Sequence, residues 1–277
     1  MREFPPGYIM SAVKKEKSYK LYVCGCRGSR PVHGARFDEF GGQTTCMIIR
    51  TGTYALVIDC GTGLYDAKPI LEGCKDVDVF FTHIHYDHIL GLLDWSVFPK
   101  NASIHFYGAF NGWMGKETIN EFFRSPFWPL QPWLGQIIDV PRDGTSVKLG
   151  GGISVETYPA LHPDSSSLLR IKCGKKCVFM MFDCESPDCM PKDILKKADM
   201  LFYDGMYENE TYPLHIGWGH STWQEGCRLA NELGTKRLVI THHDPANSDE
   251  QLRKMEQKAK ELCPNSVFAR AGDVYDI

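Results

Sequence analysis

The 277-residue chain has no apolar run approaching the roughly 18 to 20 residues that a membrane-spanning helix requires. Met1 to Met10 also lacks the basic and then apolar run of a secretory leader. The expectation is a soluble, cytoplasmic protein with no membrane partner. An excess of either charge is missing too: 31 Lys and Arg stand against 34 Asp and Glu, a formal charge of −3. No global basic field therefore recruits nucleic acid or anionic lipid, although a local patch can still hold phosphate. Linkers, repeats and low-complexity tracts are absent, which argues for one domain over residues 1–277. Cysteine is plentiful, at eleven, but its spacing is not that of a metal finger. The pairs Cys24/Cys26 and Cys173/Cys177 have no matching second pair and fall in strand-like runs, so they read as reduced, buried structural thiols.

What is present is material for a large core. Hydrophobic residues make up 43% and charged residues 23% of the chain, which excludes disorder and coiled coil. From Leu21 to about Thr82, short β-branched or apolar runs are broken by glycine, with Gly52 at a hairpin turn. A second set runs from IHFYG to KCVFMMFDC, with Gly174 at another hairpin, and single strands follow at MLFYDG and RLVITHHD. Helical spacing is found at about His88 to Phe98, Glu117 to Arg124, Lys192 to Ala198, Thr222 to Leu233 and Asp249 to Leu262. Ser221 with Gln224 and Ser248 with Gln251 fit capping boxes, and Gly234 supplies a helix stop. Strands followed by helices, twice over, predict two sheets packed together with helices outside. The aromatic-rich stretch at about 106–135, with Trp113, Trp128, Trp133, Phe110, Phe122, Phe123 and Phe127, reads as an insertion or lid, or as a homodimer surface.

The chemistry concentrates at His83-Ile84-His85-Tyr86-Asp87-His88, where a buried strand (Val77 to Phe81) gives way to a helix. Residues two apart at a strand end point the same way, so His83 and His85 can share one cation while Asp87 and His88 reach a second. Several titratable rings beside an apolar strand are costly unless something satisfies their nitrogens. Further ligands are expected at later strand exits, namely His162, Asp183 and His242.

With these residues in view, the chain resembles the metallo-β-lactamase superfamily, whose H-x-H-x-D-H motif, later His, bridging Asp and final His bind two metals. The resemblance runs from about Leu21 to His243. It implies an α/β (α+β) fold, a four-layer αββα sandwich of two mixed sheets. It further implies that His83, His85 and His162 bind one metal, that Asp87, His88 and His242 bind the other, and that Asp183 bridges them. VIDCGTG looks like the superfamily's D-x-G-x-G element, in which Asp59 orients a ligand imidazole. Gly219-His220-Ser221-Thr222 and Thr241-His242-His243-Asp244-Pro245 resemble the phosphodiesterase branch, which includes RNase Z and cyclic-nucleotide phosphodiesterases. There His220 is the proton donor, and His243 either supports the site from outside or is an exposed neighbour.

Two adjacent cations lower the pKa of a water held between them and clamp a phosphodiester oxygen. His220 can then protonate the leaving alkoxide, and Asp87 can help accept the nucleophile's proton. Ser29, Arg30, Thr44, Thr45 and Ser165 stand in small-residue turns suited to phosphate oxygens. Imidazole with carboxylate accommodates zinc, manganese or iron, with zinc the default. Transfer-RNA nucleases of this branch carry a protruding Gly- and Pro-rich basic arm. Cys184 to Tyr212 is short and mixed in charge, so a small phosphodiester such as a cyclic nucleotide is favoured over transfer RNA. Thioester or lactone hydrolysis, and metal binding without catalysis, remain the other expectations. A homodimer is expected from the aromatic stretch and the branch's habit.

Overall fold

A computed structural model describes residues 17–110, 116–129, 134, 136–196 and 198–277. The expectation placed on Met1 to Met10, and Trp113 and Trp133 of the aromatic stretch, lie outside these residues. In chain order the elements are β1 (Lys20–Gly25), β2 (Cys46–Thr51), β3 (Tyr54–Ile58), α1 (Lys68–Leu71), β4 (Asp76–Phe81), α2 (Tyr86–Ile89), β5 (Ser103–Gly108), α3 (Lys116–Phe122) and β6 (Ile137–Asp139). They continue with β7 (Ser146–Lys148), β8 (Ile153–Pro159), β9 (Ser167–Cys173), β10 (Lys176–Met181), α4 (Lys192–Leu195), β11 (Met200–Asp204), α5 (Trp223–Leu233), β12 (Leu238–Thr241), α6 (Asp249–Leu262), β13 (Ser266–Phe268) and β14 (Val274–Asp276).

Two seven-stranded sheets result, ordered β14-β1-β2-β3-β4-β5-β6 and β13-β12-β11-β10-β9-β8-β7. Each is mixed in the same way. Antiparallel pairs form where hairpins join neighbours, at β2–β3 and β9–β10, and parallel pairs form where the chain crosses over, at β3–β4–β5 and β10–β11–β12. Gly52 and Gly174 take positive φ at the two predicted hairpin turns. Strand alternation then sorts the side chains: Leu56 and Ile58 of β3 meet Val178 and Met180 of β10 between the sheets, while Ala55 and Val57 face the helical layer on the other side. Phe179, Leu201 and Ile240 form the corresponding outer layer with α5 and α6. This is the expected two-sheet sandwich with helices outside.

The helix boundaries correct several expectations. His88 to Phe98 is no continuous helix: α2 ends at Ile89, two tight turns cover Leu90–Leu93 and Trp95–Val97, and Asp94 restarts the chain by accepting from Ser96 N–H at 3.0 Å. Ser221 does not cap α5. Thr222 does, accepting from Glu225 N–H at 3.2 Å, while the Ser221 hydroxyl pairs with Tyr203 at 2.9 Å. Helices α3 and α4 end earlier than expected, at Phe122 and Leu195. The short strands β7, β13 and β14 carry too few residues for an alternation signal. Gly234 stops α5 in the left-handed conformation, and the Ser248–Gln251 capping box forms at α6.

All eleven cysteines are free, and all but Cys189 are buried. Among the described residues no helix is long and apolar enough to cross a membrane. The described part of the aromatic stretch lies against the outer face of the first sheet, with Phe110, Phe123 and Leu134 in its core and Phe127 exposed. Removing the α6 cap with Ser248→Ala should cost about 1 kcal/mol and lower the melting temperature by roughly 2 to 4 °C. An unchanged melting temperature in a thermal scan would show that the cap adds nothing to the packed helix.

Candidate metal centre

The carboxyl ends of β3, β4, β8, β10, β11 and β12 gather at one rim of the sandwich, the place where open sheets leave backbone free to build a site. Each strand exit delivers one or more side chains: Asp59, the His83–His88 run, His162, Asp183, Asp204 and His242. Besides a smaller group of Asp204, His220 and His242, two four-residue clusters form there among the described residues. Ligand atoms of His83, His85, His162 and Asp183 lie within 4.8 Å of one another, as do those of Asp87, His88, Asp183 and His242.

Asp183 belongs to both. Its Oδ2 faces the first cluster, 3.7 Å from His83 Nε2 and 3.8 Å from His162 Nε2. Its Oδ1 faces the second, 3.1 Å from His88 Nε2 and 3.3 Å from His242 Nε2. Asp87 Oδ2 closes that cluster at 3.1 Å from His242 Nε2, and it also accepts from Ser29 N–H at 2.8 Å.

The rings are aimed by groups behind them. Asp59 accepts from His88 Nδ1 at 2.8 Å and is itself held by the Thr82 backbone and hydroxyl. The carbonyl of Gly219 faces His162 Nδ1 at 2.9 Å. With the Nδ1–H groups so engaged, Nε2 is left to face a cation. Close approach of backbone makes this possible. A Cβ on Gly28 would stand 2.5 Å from the His242 ring, and one on Gly219, where φ is +84°, would stand 2.2 Å from His162 Nδ1. Among the described residues, the non-glycine positions with positive φ are Ser29, Asp59, Asp164, Ser165, Asp183 and His242, so backbone strain is concentrated at this rim.

Metal ions fit this donor set. His83 Nε2 is buried without a hydrogen-bond partner, and His88 Nε2 and Asp183 Oδ1, though 3.1 Å apart as an ion pair, lack good hydrogen-bond geometry, a costly state that a cation relieves. The electrostatics agree. Burial alone would lower His88, but Asp183, Asp87 and Asp59 outweigh it and hold the ring well above its ordinary range. Burial would likewise lower His242, yet Asp183, Asp87 and Asp204 lift it to about 9. Burial would raise Asp183, but His242, His88 and His83 pull it well below the usual carboxylate range. In the metal-free protein, protons thus stand where divalent cations would.

His220 lines the cleft over the clusters, together with Ser29, Tyr86 and Asp183, in a space of about 330 Å³. Its Nδ1 is paired with Asp204 Oδ2 at 2.8 Å. Asp204, fully buried at the end of β11, was missed in the sequence although it occupies the same kind of strand exit as the ligands. Glu185 was missed as well; it accepts from Gly217 and Gly219 N–H and so holds the loop whose carbonyl orients His162.

Other expected residues lie elsewhere. The Thr44 hydroxyl accepts from Thr62 N–H at 2.8 Å and, like Thr45, is buried, so both brace the loop after β3 instead of reaching the cleft. His243 is fully buried, stacks on Phe268 and faces the Ala269 carbonyl at 2.9 Å. It is a core residue whose backbone ties β12 to Cys26 and Gly28, not an exposed neighbour. Arg30 is exposed and outside the cleft lining. Ser165 lines a separate cleft with Arg142 and His162.

Residues 54–243 match the family model described as the beta-lactamase superfamily domain. The chain belongs to the metallo-β-lactamase superfamily. It is 35% identical over 292 residues to ribonuclease Z of Gemmatimonas aurantiaca, covering 83% of this chain and 89% of that one. It is 27% identical over 249 residues to ribonuclease Z 2, mitochondrial, of Schizosaccharomyces pombe, covering 78% of this chain but only 35% of that longer protein. The crystal structure of the metallo-β-lactamase fold protein YhfI from Bacillus subtilis superposes with a TM-score of 0.74 at 21% identity, covering 95% of this chain and 100% of that one. This metallo-β-lactamase-fold chain is a metal-dependent hydrolase whose histidine and aspartate clusters suit a dinuclear site.

Two outcomes follow. Asp59→Asn should weaken metal affinity about 10- to 100-fold in a chelator competition, with the fold intact by circular dichroism; unchanged affinity would free Asp59 of its orienting role. In the metal-free protein, the His242 proton stabilises the fold fully below pH 6.5, and this contribution is lost as pH rises through about 9. A bound cation takes that proton's place, so the melting-temperature gap between zinc-loaded and metal-free protein should widen over this interval. A narrowing gap contradicts the linkage.

Proposed function

We propose that the protein is a dinuclear metal-dependent phosphodiesterase acting on a small phosphodiester of the cyclic-nucleotide type. His83, His85 and His162 would hold one ion, Asp87, His88 and His242 the other, and Asp183 would bridge them. When bound, two divalent ions supply an activated water at neutral pH and neutralise phosphate charge. Zinc suits the donors, as do manganese and iron.

The observation that carries this reading is the His220–Asp204 pair beside the bridging carboxylate, with His220 Nδ1 at 2.8 Å from Asp204 and 3.9 Å from Asp183. Asp204 holds Nδ1 of the ring in place, leaving the other nitrogen to hand a proton to a departing alkoxide in the cleft. An alkoxide is the poor leaving group of a phosphodiester, so a proton donor there is well matched to that bond.

The small substrate is supported by the connection between His162 and Asp183, which is the hairpin β9–β10 with no arm projecting from it. The stretch from Cys184 to Tyr212 is likewise taken up by α4, β11 and short turns among its described residues. Seven relatives are named ribonuclease Z, and this favours the second reading, cleavage of a transfer-RNA precursor. The unpaired thiols suit a reducing, cytoplasmic setting. Exposed Phe127 beside the partly buried Trp128 suits a homodimer contact, and a monomeric mass in light scattering would remove the dimer.

The metal-loaded protein should turn over bis(p-nitrophenyl) phosphate in preference to ester or lactone substrates. A product screen over cyclic mononucleotides, cyclic dinucleotides and transfer-RNA precursors should select a cyclic nucleotide; cleavage of the precursor alone would establish the second reading instead. His220→Ala should lower kcat about 10²- to 10⁴-fold at unchanged metal content. Loss of metal in that variant would move His220 into the ligand set.

A further inference from the structure

The cleft over the clustered ligands is polar on its floor and apolar on one wall. Asp87, Asp183, His85 and His220 line the floor, Ile84 and Tyr86 the wall, and among the described lining residues there is no Lys or Arg. Once a phosphate sits over the ligands, the described lining left for the rest of the substrate is Ser29, Ile84 and Tyr86, most of it apolar surface. Tyr86 dominates that surface. It lies between two candidate ligands yet is 61% exposed, whereas Asp87 beside it is buried. Phe122 of α3 packs against its ring, with centroids 4.6 Å apart and planes tilted by 31°, so the ring is backed by a second aromatic while most of it stays open. An aromatic held in place is a low-entropy stacking platform, and stacking accepts any base because every base has a π-face. The cleft's volume of about 330 Å³ is in the range of small-ligand sites.

We propose that Tyr86 is the wall of a base-binding subsite, on which the nucleobase of the diester substrate stacks while its phosphate lies over the clustered ligands. The inference rests on the phosphodiesterase reading and adds to its cyclic-nucleotide substrate the side chain that would hold the base.

The test compares metal-loaded wild type, Tyr86→Ala and Tyr86→Phe on a 3′,5′-cyclic mononucleotide and on glycerol 1,2-cyclic phosphate, which has the diester but no base. In Tyr86→Ala the ratio of the two KM values should shift about tenfold against the nucleotide, the binding that one stacked base contributes, with kcat on the nucleotide little altered. Tyr86→Phe should restore the ratio. Phe122→Ala, which removes the backing ring and leaves the ligand run untouched, should shift it in the same direction, with metal content measured in every variant. A ratio that stays constant in Tyr86→Ala and Phe122→Ala, or that Tyr86→Phe fails to restore, overturns the subsite while leaving the phosphodiesterase reading standing. Wild-type protein that cleaves neither diester sinks that reading and the subsite with it.

Discussion

One buried carboxylate joins two sets of imidazoles that would otherwise repel each other as they charge. Asp183 is 1% exposed and turns one oxygen toward His83 and His162, the other toward His88 and His242. An anion buried this deeply is unfavourable unless it is paired. The same holds for histidines whose nitrogens find no protein partner. The arrangement makes sense only as a set, and with cations added it becomes a closed circuit of charge. Asp183 is also one of the few non-glycine residues with positive φ, at 47°, so the chain accepts local strain to aim it.

The sandwich exists, as far as the site is concerned, to bring strand ends to one rim. Each sheet contributes its parallel half there: β3 and β4 from one, β10, β11 and β12 from the other. Parallel neighbours end on the same side, so consecutive crossovers place consecutive exits next to each other. The rim is then stitched through backbone. Gly28 N–H meets the His243 carbonyl and His243 N–H meets Cys26, while Arg27, fully buried, donates to Gly41 and Asn247 at 2.8 Å each. These bonds hold the exit of β1 against the exit of β12, which puts Ser29 N–H on Asp87 and Gly28 against the His242 ring.

Much of this was legible in the chain. The histidine run at 83–88, the strand-exit positions of His162, Asp183 and His242, and the hairpin glycines are local patterns with a fixed period, and local patterns survive folding. The failures have physical causes too. Thr44 and Thr45 sit in a small-residue turn that suits phosphate, but they are buried and Thr62 engages the Thr44 hydroxyl. Ser221 and Thr222 both satisfy the cap rule; Tyr203, distant in sequence, takes the first and leaves the second for the helix. His243 follows a candidate ligand but, past the end of β12 and after the left-handed turn at His242, it enters the core against Phe40 and Phe268.

The sequence by itself determined the residue types, their order and their positions at strand ends, because the periods of strand and helix are short-range properties. Only the tertiary structure decided which carboxylate stands behind which ring: Asp59 behind His88, Asp204 behind His220, the Gly219 carbonyl behind His162. These pairs are 29, 16 and 57 residues apart. Their partners are chosen by how two sheets align and how closely glycine lets backbone approach, and no spacing along the chain encodes that distance in space.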